Sequence, residues 1–186
     1  MDLMIEINNL TKKVVDEEFL KSVAKTVLKG EEKKEAEVSL VLVGQGRIKG
    51  LNKKYRRKNQ VTDVLAFGRD KKQKFAMPPG GKMELGEIVI CLPAIKRNAK
   101  RFSSSFKKEL TLSLIHGILH LLGYNHLKSE AEDKKVEEAK ASSSATELPK
   151  EAKVRKRMKS SFVFAAARVM KEKQQYYLSK ILKNTC

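Results

Sequence analysis

All three histidines of this 186-residue chain fall within eleven positions, in the run His116-Gly-Ile-Leu-His120-Leu-Leu-Gly-Tyr-Asn-His126. The first two lie in the most apolar stretch of the chain, Phe106 to Leu122. There Leu110, Leu112, Leu114, Ile115, Ile118, Leu119, Leu121 and Leu122 occupy much of the circumference of a helix. A helix apolar nearly all round has to be buried, so the rest of the chain must fold around this segment. Residues four apart on a helix lie one above the other, so His116 and His120 share a face. Gly123 stands where the helix should end, and glycine takes the left-handed conformation that such ends favour. The chain can then turn back and carry His126 to the same point. Three imidazole nitrogens with one open position describe a catalytic zinc site.

The spacing is that of the metzincin pattern H-E-x-x-H-x-x-G-x-x-H, with one chemical difference. The glutamate that serves those peptidases as general base is replaced by Gly117. Peptide hydrolysis by that route loses its base. Cys91 is a conceivable fourth ligand, but its place in an apolar strand reads as core. With Cys186 it makes two cysteines, which excludes a disulfide scaffold and a cysteine-rich zinc module and favours a reducing compartment.

Around the central helix, periodicity predicts alternating short strands and helices. Leu3 to Ile7 reads as a strand, and Asp16 to Leu28 as a helix with Phe19, Leu20, Val23, Ala24 and Val27 on one face, stopped by Lys29-Gly30. Val38 to Val43 is β-branched and apolar, a buried strand ended by Gly44 and Gly46. Ile48 to Arg57 reads as a short basic helix, and Val61 to Phe67 as a strand. Gly68 to Lys82 is loop-like, and Leu85 to Leu92 is a further strand. Pro93 suits the first turn of a helix running towards Phe102, and Ser103-Ser-Ser105 supplies a cap for the histidine helix. Beyond His126, residues 130–141 are charged and helix-prone, 141–149 read as a linker, and 151–182 as a basic helix-prone segment with one apolar run, Phe162 to Met170. The expected organisation is a domain over 1–141, a linker over 142–149 and a helical or partly disordered tail over 150–186. That tail can add phosphate contacts, dock on a partner or a membrane surface, or dock on the domain itself.

Lys and Arg total 40 against 22 Asp and Glu, a net charge of +18. The excess sits in two blocks, +13 over residues 41–126 and +8 over 151–186, while 1–40 and 127–150 are slightly acidic. A polyanionic partner, nucleic acid above all, suits such a balance, although lysine-rich surfaces also serve solubility alone. An apolar fraction of 41% supplies a core. No run of apolar residues reaches the roughly 18 needed for a membrane span. The N-terminus has no signal-peptide pattern, so a cytoplasmic protein is expected, with an organelle (plastid or mitochondrion) as the alternative. Just before the Val61 strand, Lys53, Lys54, Arg56, Arg57 and Lys58 crowd together. A guanidinium fork matches phosphate oxygens, but composition alone also fits a solvated helix face.

Taken together, these segments resemble the YbeY family, zinc-dependent endoribonucleases of rRNA maturation. The family signature H-G-x-L-H-L-x-G-Y-D-H meets His116 to His126 with Asn125 in place of Asp. The family's N-x-x-Y-R-x-x-D-x-P-T-D-V-L-S-F meets Asn52 to Phe67, with Asn59, Val61 and Ala66 as departures. Its L-G-D-I-x-I strand meets Leu85 to Ile90, with Glu87 for Asp. Order and spacing agree over residues 1–141, and the segment beyond has no counterpart.

The resemblance implies an α+β fold of the zincin type, a mixed β-sheet packed with helices with the histidine helix central, extended by the basic C-terminal segment. It implies one zinc ion on His116, His120 and His126, and Arg56 as the catalytic arginine in the same cleft. It further implies single-strand-specific cleavage in 3′-end maturation of small-subunit (16S) rRNA, ribosome quality control, and partnership with precursor rRNA and the small subunit or its proteins. Lys53, Lys54, Arg57 and Lys58 are the candidate RNA contacts. Asn125 in place of aspartate removes a negative charge from the surroundings of the last ligand while keeping a hydrogen-bond acceptor. Two other readings remain open at the level of sequence. One is a non-catalytic rRNA-binding assembly factor with a structural zinc. The other is a zinc hydrolase of a non-RNA substrate.

Overall fold

A computed structural model describes residues 4–33, 35–69, 83–124 and 168–183. The described residues form β1 (Met4–Asn9), α1 (Glu17–Gly30), β2 (Ala36–Val43), α2 (Gln45–Arg56), β3 (Val64–Gly68), β4 (Met83–Cys91), α3 (Leu92–Arg101) and α4 (Phe106–Leu121). A fifth helix, α5, covers residues 168–183. The chain divides into one unit of Met1–Gly123 with Gln174–Cys186 and a second of Tyr124–Lys173.

The sheet of the first unit has the order β1-β2-β4-β3. β1, β2 and β4 run parallel, and β3 lies antiparallel to β4 at the edge. From Leu40 to Val43 the strand β2 is apolar and buried on both faces, as a strand covered by helices on both sides should be. On one face Val41, Val43, Val89, Cys91 and Leu65 gather with Ile48 of α2. Residues one position away in a strand point the other way, so Leu40, Leu42, Ile88 and Ile90 form the opposite layer. That layer meets α4, whose Gly117 lies directly on Ile88.

Local chemistry places the helix ends. Asp16 caps α1 by accepting from the Phe19 amide at 2.9 Å, and Glu17 and Glu18 stand in the first turn, where the helix dipole favours them. Ser105 caps α4 by accepting from the Lys108 amide at 3.1 Å. Pro93 sits in the first turn of α3, as its fixed φ and missing N–H allow.

Two glycines have roles other than the expected one. Gly30 is the last residue of α1 rather than its stop signal. The left-handed residue that ends the helix is Glu32 (φ 57°), with the Lys33 amide donating to Leu28 O at 2.8 Å and the Glu32 amide to Lys29 O at 3.2 Å. That is a Schellman end built without glycine. Gly46, read as a strand terminator, lies inside α2, which starts three residues before the expected Ile48 because Gly44 serves as its N-cap.

Gly86 answers to a steric demand. It has φ 132°, sits where the β2–β4 register slips by one residue, and lies so close to the Phe67 carbonyl oxygen that a Cβ would collide with it. It forms a bulge that only glycine fits.

The segments expected over residues 130–141 and 141–149 lie outside the described residues. Within the C-terminal segment, α5 is helical, and in its Gln174–Lys183 part Tyr177, Leu178 and Ile181 are buried. Of the roles left open for this segment, docking on the domain holds for that part. The Tyr177 ring lies over Gly30, where a Cβ would stand 2.7 Å from its Cε1. Its hydroxyl donates to Glu31 Oε1 at 2.7 Å. Among the described residues no helix is long and apolar enough to cross a membrane.

Candidate metal centre and the basic corner

α4 carries His116 and His120 on one face near its C-terminal end, both half-buried. Their Nε2 atoms stand 3.0 Å apart, with ring centroids 4.5 Å apart and the planes at 80°. The helical spacing thus does what the sequence predicts for this pair: it aims two ring nitrogens at one point. A tetrahedral zinc with Zn–N bonds of about 2.0–2.1 Å holds neighbouring nitrogens about 3.3 Å apart, so the pair fits a shared metal with little adjustment. His126 lies outside the described residues, as does Asn125. Among the described residues no third carboxylate, cysteine or histidine joins the pair.

Gly117 explains why this helix can lie so near the sheet. A Cβ there would stand 2.8 Å from Ile88 Cγ2 and 3.1 Å from its Cδ1. Ile88 is fully buried and β-branched, so it has little freedom to yield. The slot that holds a glutamate in the metzincin pattern is therefore occupied by the sheet.

Cys91 is fully buried at the end of β4. Burial pushes its thiol pKa up, which keeps it protonated and unreactive. Its environment is the apolar cluster between β4 and α2, in keeping with a core role.

The basic cluster lies at the C-terminal end of α2 and in the turn after it. Lys53, Lys54, Arg56, Arg57 and Lys58 are all exposed. Arg57 takes a left-handed conformation (φ 56°) that turns the chain out of the helix. Asn52, almost fully buried, holds that turn from below. Its Nδ2 donates to Gln60 O at 2.8 Å, and its own carbonyl accepts from the Lys58 amide at 3.3 Å.

Asp63 fastens the far end. Its Oδ1 accepts from the Val64 amide at 3.0 Å, its Oδ2 accepts from Asn98 Nδ2 at 3.3 Å, and its carbonyl accepts from the Cys91 amide at 2.8 Å. The strand expected from Val61 therefore starts at Val64, because Thr62 and Asp63 form a polar fastening instead.

A series of contacts links this corner to α4. Tyr55, next to Arg56, packs edge-on against Phe67 of β3 with centroids 5.1 Å apart. Gly68, the next residue, lies near Leu121 at the end of α4, where a Cβ would stand 3.9 Å from Leu121 Cδ2. Phe67 belongs to the α2 side of the sheet, so the edge strand β3 stands between the basic corner and the histidine helix.

Sequence reasoning missed Gln174. Its Nε2 stands 3.1 Å from His116 Nδ1, the ring nitrogen turned away from His120. The available signal was a polar residue on the apolar stripe Met170, Tyr177, Leu178 and Ile181.

A sequence profile of the family "Endoribonuclease YbeY" matches residues 6–148. The chain belongs to that family. An endoribonuclease YbeY of Dehalococcoides mccartyi strain CBDB1 is 37% identical over 141 residues, covering 71% of this chain and 85% of the relative. Another from Pelotomaculum thermopropionicum is 41% identical over 131 residues, covering 67% of this chain and 84% of the relative. Among solved structures, a solution structure of a Thermotoga maritima protein superposes with a TM-score of 0.53 at 26% identity, covering 97% of this chain and 91% of that one. These likenesses bear out the YbeY resemblance and the mixed α+β architecture.

Proposed function

We propose that this YbeY-family protein is a metal-dependent endoribonuclease that cuts single-stranded RNA, with one zinc ion held by His116, His120 and His126 in a zincin-type arrangement. The observation that carries the reading is the convergence of His116 and His120 Nε2 to 3.0 Å on a helix whose peptidase slot is filled by Gly117 against Ile88. When bound, zinc supplies Lewis acidity towards a phosphate oxygen. RNA carries its own nucleophile in the 2′-hydroxyl, so no water has to be placed for attack, although the hydroxyl proton still needs an acceptor.

Arg56 supplies a positive fork for the charge that builds on phosphorus in the transition state. Lys53, Lys54, Arg57 and Lys58 draw in the RNA backbone by counterion release, which makes binding salt-dependent. The substrate in the cell is precursor rRNA of the small subunit, cut in maturation of its 3′ end and in ribosome quality control, with the small subunit or its proteins as partner. The compartment is the cytoplasm.

The test is an RNA cleavage assay with zinc-loaded protein on a single-stranded oligonucleotide and on the same sequence in a duplex. The account expects cuts in the single strand and none with His116→Ala. Intact RNA with the wild type, or equal cleavage by His116→Ala, would overturn it.

A further inference from the structure

We propose that Gln174 is a positioning residue for the metal: its side-chain amide holds the His116 ring through Nδ1 and so keeps Nε2 aimed at the ion. The proposal deepens the zinc reading above and rests on it.

Gln174 Nε2 lies 3.1 Å from His116 Nδ1, while His116 Nε2 lies 3.0 Å from His120 Nε2. The amide thus meets the ring nitrogen that a metal on Nε2 would not use. A metal on Nε2 needs that lone pair. The proton then belongs on Nδ1, which becomes a donor in want of an acceptor. A glutamine amide carries a donor and an acceptor at nearly equal reach, so it can present Oε1 to that Nδ1–H. A carboxylate would serve that ring as an acceptor in the same way, whereas an amine would not.

The amide is well placed to hold a ring because its helix is well held. Tyr177, one turn further on, is buried over Gly30 and donates to Glu31 at 2.7 Å. Leu178 and Ile181 are buried beside it. Gln174 is half-buried on that apolar stripe, a setting in which packing alone favours an apolar residue.

The test measures zinc affinity by chelator competition at neutral pH, alongside thermal unfolding of the metal-free protein. The variants are Gln174→Leu, Gln174→Glu and, as a docking control, Tyr177→Phe. Removing an outer partner of a metal-bound histidine typically weakens metal affinity about 10- to 100-fold, and that loss is expected for Gln174→Leu. Gln174→Glu should bind at least as tightly as wild type, because a carboxylate accepts from Nδ1–H. Tyr177→Phe should lower the melting temperature while leaving affinity within about twofold. In the zinc-loaded wild type, proton NMR should show a slowly exchanging Nδ1–H of His116 that Gln174→Leu loses. Folded Gln174→Leu binding zinc as tightly as wild type would overturn the proposal, as would equal weakening by Gln174→Leu and Gln174→Glu. A wild type that binds no zinc would instead bring down the metal reading itself.

Discussion

The two parts of the candidate site are built on opposite principles. His116 and His120 ride on a helix buried among Leu114, Ile115, Ile118 and Leu119, and glycine at 117 lets the sheet press against it. The basic corner at the end of α2 is exposed on every charged residue and is held through one buried amide, Asn52, and one carboxylate, Asp63. The difference fits the role proposed for each part. A metal demands ligand atoms fixed to a fraction of an ångström, which close packing supplies. A polyanion is attracted over a Debye length of about 8–10 Å, so its contacts can stay solvated and adjustable. Substitutions in the first part should therefore act in an all-or-none way, and those in the second by degrees.

The largest effect expected is from His120→Ala. Losing one histidine from the proposed three-histidine site should remove several kcal/mol of transition-state stabilisation, a fall in cleavage of about a thousandfold or more, with zinc content falling in parallel. Arg56→Ala comes next. Loss of a donor aimed at developing charge costs up to about 100- to 1000-fold in kcat, while RNA affinity changes little. If affinity falls and kcat holds, Arg56 belongs with the lysines and the division proposed for the corner is wrong.

Stability separates the two parts further. Asn52→Ala leaves the Gln60 carbonyl without its donor and should cost about 1–3 kcal/mol in denaturant unfolding. Gly117→Ala forces a methyl against Ile88, a cost of about 1–3 kcal/mol offset by about 1 from better helix propensity. A net gain in stability from Gly117→Ala would show that the helix does not need its close approach. The smallest effect is expected from Lys54→Ala: binding a few-fold weaker, and a slope of log affinity against log salt shallower by about 0.7, the value for one single-strand phosphate contact.

The same contrast governs how much could be read from sequence. Elements buried on a regular period were legible: the helix with Leu20, Val23, Ala24 and Val27, the strand Val38 to Val43, and the histidine helix with its Ser105 cap all stand within two or three residues of their expected bounds. The two histidines were legible for the same reason, since four-residue spacing on a helix is a geometric statement. What failed was punctuation. Gly30 and Gly46 read as breakers because glycine breaks helices on average, but each is helical here, Gly30 making room for the ring of Tyr177. Glu32 carries the left-handed turn with a residue type that gives no warning of it. Asp63 shortens a strand by competing for its backbone amides. Gln174 was not legible as a partner because its contact with His116 spans 58 positions and depends on how α5 docks.

The central claim is that one metal ion on the histidine cluster makes this protein a ribonuclease. It is tested most directly by stripping the protein with a chelator, titrating zinc back, and following cleavage of a single-stranded RNA. The account predicts no cleavage by the stripped protein and a return of activity that saturates at one zinc per chain in the wild type, with no return in His120→Ala. Cleavage that persists without metal, or that zinc restores equally in His120→Ala, would contradict it.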